Sequence, residues 1–89
     1  MAKLHWDEAF KKIYRKKTVR NHELAQKFGE AITLLTHNPF DPRLRTHKLT
    51  GKLKNLWAFS CGYDCRVVFR FLDDSNILLI DIGSHDEVY

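Results

Sequence analysis

The spacing of apolar residues changes period along this chain of 89 residues, and each change marks an element. KLHW, residues 3–6, alternates with Leu4 and Trp6 on one side and Lys3 and His5 on the other, as in a half-buried strand. Asp7 then offers a helix N-cap. Phe10, Ile13, Tyr14 and Lys17 follow at helical spacing and predict a short amphipathic helix over residues 8–17. A second helix is predicted from about Arg20, where Leu24, Phe28, Ala31, Ile32 and Leu35 form one apolar stripe. THNPFDPR, residues 36–43, stops it, because the residue before each proline is steered away from helical geometry and Asn38 and Asp41 favour turns.

From residue 57 onward the period becomes two. WAFSCGYD reads as a strand with Gly62 close to its end. CRVVFRFL, residues 65–72, sets Cys65, Val67, Phe69 and Phe71 against Arg66, Val68, Arg70 and Leu72. Residues 73–76, DDSN, make a polar turn, and NILLIDI returns as the last strand. The order strand, helix, helix, strand, strand, strand predicts an α+β fold in which an antiparallel sheet of about four strands packs one face on two helices. No repeat, low-complexity tract or linker divides the chain, so residues 1–89 are expected to form a single domain.

Composition narrows the function classes. With 44% hydrophobic and 29% charged residues the chain falls in the range of soluble globular proteins. The apolar run ILLI, residues 77–80, is far shorter than a bilayer-spanning helix. MAKLHWDEAF places His5, Trp6, Asp7 and Glu8 where an export signal needs an apolar stretch, so a cytoplasmic location, with no membrane partner, is expected. Cys61 and Cys65 are too few for a disulfide framework and are expected to remain reduced, as small buried hydrophobes. Their spacing across a strand break is unlike a zinc knuckle, so no metal or other cofactor is expected.

The net charge of +4 hides an asymmetry: residues 1–54 hold 13 Lys and Arg against 5 Asp and Glu, and residues 55–89 hold 2 against 6. RLRTHKLTGKLK, residues 43–54, contains Arg43, Arg45, Lys48, Lys52 and Lys54 and no acid. Such a segment suits a polyanion, with RNA or DNA the first candidate, and is equally compatible with a solvated basic loop.

Of the five histidines, His5, His22 and His37 are read as exposed bystanders, which leaves His47 in the basic segment and His85 in the terminal GSHDEVY. Asp64 and Arg66 are two apart at the start of the third strand and so share a face, and a hairpin centred on residues 73–76 roughly pairs Arg66 with Gly83 and Asp64 with His85. These residue types match metal-free RNA cleavage, in which the ribose 2′-oxygen attacks its own phosphate. That reaction needs a base, an acid for the leaving 5′-oxygen and a cation for the phosphorane charge. Histidine suits the first two tasks near neutral pH, arginine the third, and an aromatic ring can stack on a splayed base. His47, Asp64, Arg66, His85 and Tyr89 supply each part.

The same residues carry a family resemblance. HKLTGKLKNLWAFSCGYDCRVVFRF and the ending LLIDIGSHDEVY resemble the RelE/ParE superfamily of bacterial type II toxin–antitoxin toxins, most closely its YafQ-like messenger-RNA interferases. The resemblance implies a ribosome-dependent endoribonuclease that cuts messenger RNA and is held inactive by a DNA-binding antitoxin with an acidic, amphipathic tail. It implies that His47 is the histidine of the basic loop, Asp64 the aspartate at the third strand, and His85 the general acid. Arg66 takes the place of the phosphate-binding arginine of the RelE and YoeB branches, and Tyr89 that of the terminal aromatic. Two places depart from the YafQ-like pattern: a further aspartate and histidine of the second strand are here Ala58 and Ser60, so either Asp64 or His47 must serve as base. Two other readings stay open, a ParE-like inhibitor that binds DNA gyrase and an inactive toxin that only binds its antitoxin.

Overall fold

The computed structural model describes residues 1–51 and 55–88. In chain order it contains β1 (Lys3–Trp6), α1 (Glu8–Thr18), α2 (His22–His37), a 3-10 turn (Pro42–Leu44), β2 (His47–Lys48), β3 (Trp57–Ser60), β4 (Arg66–Asp73), β5 (Asn76–Gly83) and α3 (His85–Val88). The α+β class and both predicted helices are present. The Asp7 carboxylate accepts the Ala9 N–H (3.2 Å) and opens α1 as expected. Asn21 accepts the Leu24 N–H (2.9 Å), so α2 begins after this cap, at His22 rather than near Arg20.

The sheet corrects the sequence expectation. It has five strands in the order β1-β5-β4-β3-β2, and β1 runs parallel to β5, with Leu4 opposite Ile77 and Trp6 opposite Leu79. Local alternation reveals a strand but not its direction or its neighbour, and two helices separate β1 from the strands that follow. β2 has only two residues and is too short to show a period. The β4–β5 hairpin was legible: Asp73 pairs with Asn76, the Asp73 carboxylate accepts the Ser75 N–H (2.8 Å), and Arg66 lies opposite Gly83.

One face of the sheet packs on α1 and α2. Phe10, Phe28 and Leu35 from the helices meet Phe59, Phe69, Ile77, Leu79 and Ile82 from the strands, all fully buried or nearly so. Trp6 closes this core with its ring edge against Phe10 (5.2 Å between centroids) and Phe28 (5.5 Å). The other face is not bare. Val68, expected to point outward with Arg66, is buried with Leu49 and Ala58, and Leu56, Ile80 and Val88 pack around them. This second core ties the chain just after His47 and helix α3 to the sheet, which sets the surroundings of the site.

Two further expectations change. His5 is half-buried and its Nε2 lies 2.8 Å from Asn76 Oδ1, so it locks β1 to the start of β5 and is not a bystander. His22 and His37 are exposed, as expected. Cys61 and Cys65 are buried as expected, but they do not act as separate small hydrophobes, because their sulfur atoms are in contact across the turn. The Cys61 N–H donates to the Cys65 carbonyl (3.0 Å), which sets their Cα atoms 5.3 Å apart, inside the range a disulfide spans. No helix among the described residues is long and apolar enough to cross a membrane.

Candidate functional site

The site lies where β3, β4 and β5 end together. Arg66 opens β4, opposite Ser60 of β3 and Gly83 of β5. It is half-buried, and its Nη1 donates to the Cys65 carbonyl (3.1 Å), which orients the guanidinium along the sheet edge. Arginine has five N–H donors. Among the described residues no carboxylate forms an ion pair with Arg66, so its charge is available to an anion.

Asp64 was expected to enter the third strand and share a face with Arg66. Instead β4 begins at Arg66, and Asp64 sits in the turn before it with left-handed backbone (φ 50°), after Gly62 at φ 83°. Aspartate is among the few residues that tolerate this region. The conformation carries its carboxylate toward the C-terminal segment, where Oδ1 accepts the His85 N–H at 3.4 Å. The pairing of residues 64 and 85 expected from the hairpin is thus made by a side chain beyond the end of the ladder.

His85 begins α3, a single turn fixed by two devices. Ser84 and Glu87 form a capping box: the Glu87 carboxylate accepts the Ser84 N–H (2.8 Å), and Ser84 Oγ accepts the Glu87 N–H (3.3 Å). Lys17 of α1 then bonds both Glu87 oxygens (2.9 and 3.0 Å). The Ser84 hydrogen bond, with Lys17 second, holds the Glu87 carboxyl below its ordinary value. Gly83 supplies the second device, since a Cβ there would lie 3.0 Å from Glu87 Cβ and 3.2 Å from Val88 Cγ1, so its absence lets α3 fold back without crowding these side chains. Glu87 therefore positions His85. The signal was present as Ser-x-x-Glu within GSHDEVY.

This arrangement has a testable pH dependence. Because the folded state lowers the Glu87 pKa, its contribution is complete above the ordinary value of 4.5 and disappears as pH falls through the lowered value. We expect the Ser84 and Glu87 amides to be protected from hydrogen exchange at pH 7 and to lose that protection in acid, once rates are compared with those of an unstructured peptide at the same pH. In Glu87→Ala both amides should lose this protection at pH 7 while the protein stays folded; undiminished protection in that variant would contradict the capping role.

His47 is exposed and pairs with Ala58. Ala58 and Ser60 share a strand face, so His47 points to the same side as Ser60 and Arg66, about 12 Å from Arg66 between Cα atoms by strand spacing. Its Nδ1 lies 3.1 Å from the Arg45 carbonyl. A carbonyl only accepts, so Nδ1 carries the proton, and in the neutral ring Nε2 is the basic nitrogen.

The basic segment divides. Arg43 is held by Asp41 through paired bonds of 2.9 and 3.0 Å, and these bonds bring the Asp41 carboxyl down to about 2. Arg45 is exposed with left-handed backbone (φ 53°), and with Arg66, Asp64 and Ser60 it borders a cavity of about 540 Å³. Lys48 lies opposite Trp57, so it faces away from His47 and lines a separate depression with Arg70. Lys52, Lys54 and Tyr89 lie outside the described residues. Among the described residues no three His, Cys, Asp or Glu side chains group to hold a metal ion.

The family model described as the bacterial toxin of type II toxin–antitoxin system, YafQ, matches residues 2–89. The chain belongs to the YafQ family. Among solved structures, a copper-bound mutant toxin from Helicobacter pylori is 28% identical over all of both chains, with a TM-score of 0.81. YafQ from Escherichia coli is 19% identical over 100% of this chain and 99% of its own, with a TM-score of 0.80. YafQ in the E. coli DinJ–YafQ complex is 18% identical with the same coverage, also at 0.80. No curated protein matches the chain. The protein is thus a type II toxin of the RelE superfamily, with the mixed sheet of its structural relatives. Of the two departures from the YafQ-like pattern, Ala58 is wholly buried beside Leu49 and Val68, where it packs rather than reacts, and Ser60 faces the Arg66 cavity.

Proposed function

We infer that this toxin is an endoribonuclease that cleaves messenger RNA on the ribosome by acid and base catalysis without a metal. The observation that carries this reading is the Asp64–His85 hydrogen bond, which draws the turn and the C-terminal segment together beside Arg66, a cation with no ion pair among the described residues. Arg66 would bind the scissile phosphate through its planar fork, with His85 on one side and His47 on the other. His47 Nε2 takes the proton from the ribose 2′-OH. The 2′-oxygen forms a bond to phosphorus, and the bond to the 5′-oxygen breaks as His85 gives that oxygen a proton. The products are a 2′,3′-cyclic phosphate and a 5′-hydroxyl. The position of Asp64 beside the His85 amide fits a positioning role, which leaves the base to His47. Tyr89 completes the proposed site, close in sequence to His85.

Free messenger rarely adopts the in-line geometry this attack needs, and a site this shallow cannot impose it alone, which favours the ribosome as the surface that orients the substrate. Arg45 and the other basic residues Arg43, Lys48, Lys52 and Lys54 would then contact ribosomal and messenger RNA in the cytoplasm. The E. coli relative forms a complex with DinJ. By the same logic this toxin is held inactive by a DNA-binding antitoxin whose acidic tail covers the arginine-lined cavity.

Induction of the toxin in growing cells tests the reading against its nearest rival. We expect growth arrest with messengers cut inside their coding regions and plasmid supercoiling unchanged. Arrest with intact messengers and relaxed plasmid would instead identify a gyrase inhibitor.

A further inference from the structure

The turn at residues 61–65 does more than carry Asp64. At its tip Tyr63 is fully exposed, and among the described residues its ring packs on no other aromatic side chain. Single exposed apolar residues are common and need no explanation by themselves. Three observations set this one apart. The backbone on both sides of Tyr63 is left-handed, at Gly62 (φ 83°) and Asp64 (φ 50°), and the Asp64 carboxylate is tied to the His85 N–H. The base of the turn is closed by the Cys61 N–H bond to the Cys65 carbonyl, with the two cysteine sulfurs in contact beside it. The tyrosine also borders the cavity of about 540 Å³ that Arg45, Asp64 and Arg66 line.

An exposed aromatic ring carried into water on a closed turn beside arginines is the chemistry of a stacking platform for single-stranded nucleic acid. Every base has a π-face, and an unstacked base gains free energy on such a ring whatever its identity. The charged lining suits a polyanion rather than an apolar anchor. We propose that Tyr63 stacks on an unpaired RNA base next to the phosphate that Arg66 holds, and so positions the strand across the site without selecting its sequence. The proposal rests on the ribonuclease reading above and adds to it a positioning residue on the turn.

The test measures binding of a labelled single-stranded oligoribonucleotide whose 2′-oxygens are methylated, so that it cannot be cleaved. Wild type is compared with Tyr63→Ala, Tyr63→Phe and Tyr63→Trp, with cleavage on programmed ribosomes measured in parallel. Tyr63→Ala should weaken binding by roughly 5-fold to 100-fold, while the two aromatic variants stay within about 2-fold of wild type. All four proteins should melt at the same temperature, because the side chain is fully exposed. Wild-type affinity in Tyr63→Ala overturns the proposal, as does a Tyr63→Phe protein as weak as Tyr63→Ala, which would assign the hydroxyl rather than the ring. If wild type cleaves on ribosomes while Tyr63→Ala binds unchanged, only the stacking role fails. A wild type that neither binds the oligonucleotide nor cleaves removes the ribonuclease reading and the stacking role together.

Discussion

His85→Ala is expected to lower messenger cleavage in a translating extract by a factor of about 100 to 10,000, the range for losing a general acid or base. The side chain is exposed and begins a one-turn helix whose hold on the sheet comes from Ser84, Glu87 and Lys17, so folding and melting temperature should be unchanged. The His85 amide, not its ring, bonds Asp64, and alanine keeps that bond. A loss of activity with an intact fold therefore reports on the ring. If His85→Ala arrests growth and cuts messenger as well as wild type does, the ring has no catalytic role.

The second large effect is expected at Arg66. Arg66→Glu places a carboxylate where the phosphate must sit and should reduce cleavage by a factor of roughly 100 to 1,000 or more. Arg66→Lys separates charge from geometry: it keeps a cation but loses the planar fork, and should recover only part of the activity. Full recovery by lysine would mean that Arg66 supplies charge alone, and wild-type activity in Arg66→Glu would remove it from the site. Its half-buried stem lies at the end of β4 rather than in the core, so both variants should fold.

How far these roles can be read from sequence depends on whether the cause is local. The stripe of Phe28, Ala31 and Leu35 predicts α2, and the alternation of Val67, Phe69 and Phe71 predicts β4, because one face of each element meets the core. Counting outward from the hairpin turn at Asp73 pairs Arg66 with Gly83, and the count holds because the two register shifts inside the ladder cancel. What escapes is non-local or too short to have a period. The parallel pairing of β1 with β5 depends on a return across the whole chain, and β2 contains only His47 and Lys48. Alternation alone places Val68 outward, since nothing local shows that Leu49 and Val88 fold over it. The left-handed turn at Asp64 and the contact of Cys61 with Cys65 beneath it follow from the tight closure of β3 onto β4, which a pattern of residue types does not state. Glu87 is a different case: Ser84 and Glu87 stand at capping-box spacing in the sequence, but the single turn they cap is too short to show an apolar stripe that would mark it as a helix.

The most direct test of the mechanism is the chemistry of the cut ends. Messenger cleaved by the purified toxin on translating ribosomes should carry a 2′,3′-cyclic phosphate on the upstream fragment and a 5′-hydroxyl on the downstream one, because the attacking oxygen belongs to the RNA itself. A 3′-hydroxyl paired with a 5′-phosphate would mean that water attacks instead, and would contradict the roles given to His47 and His85.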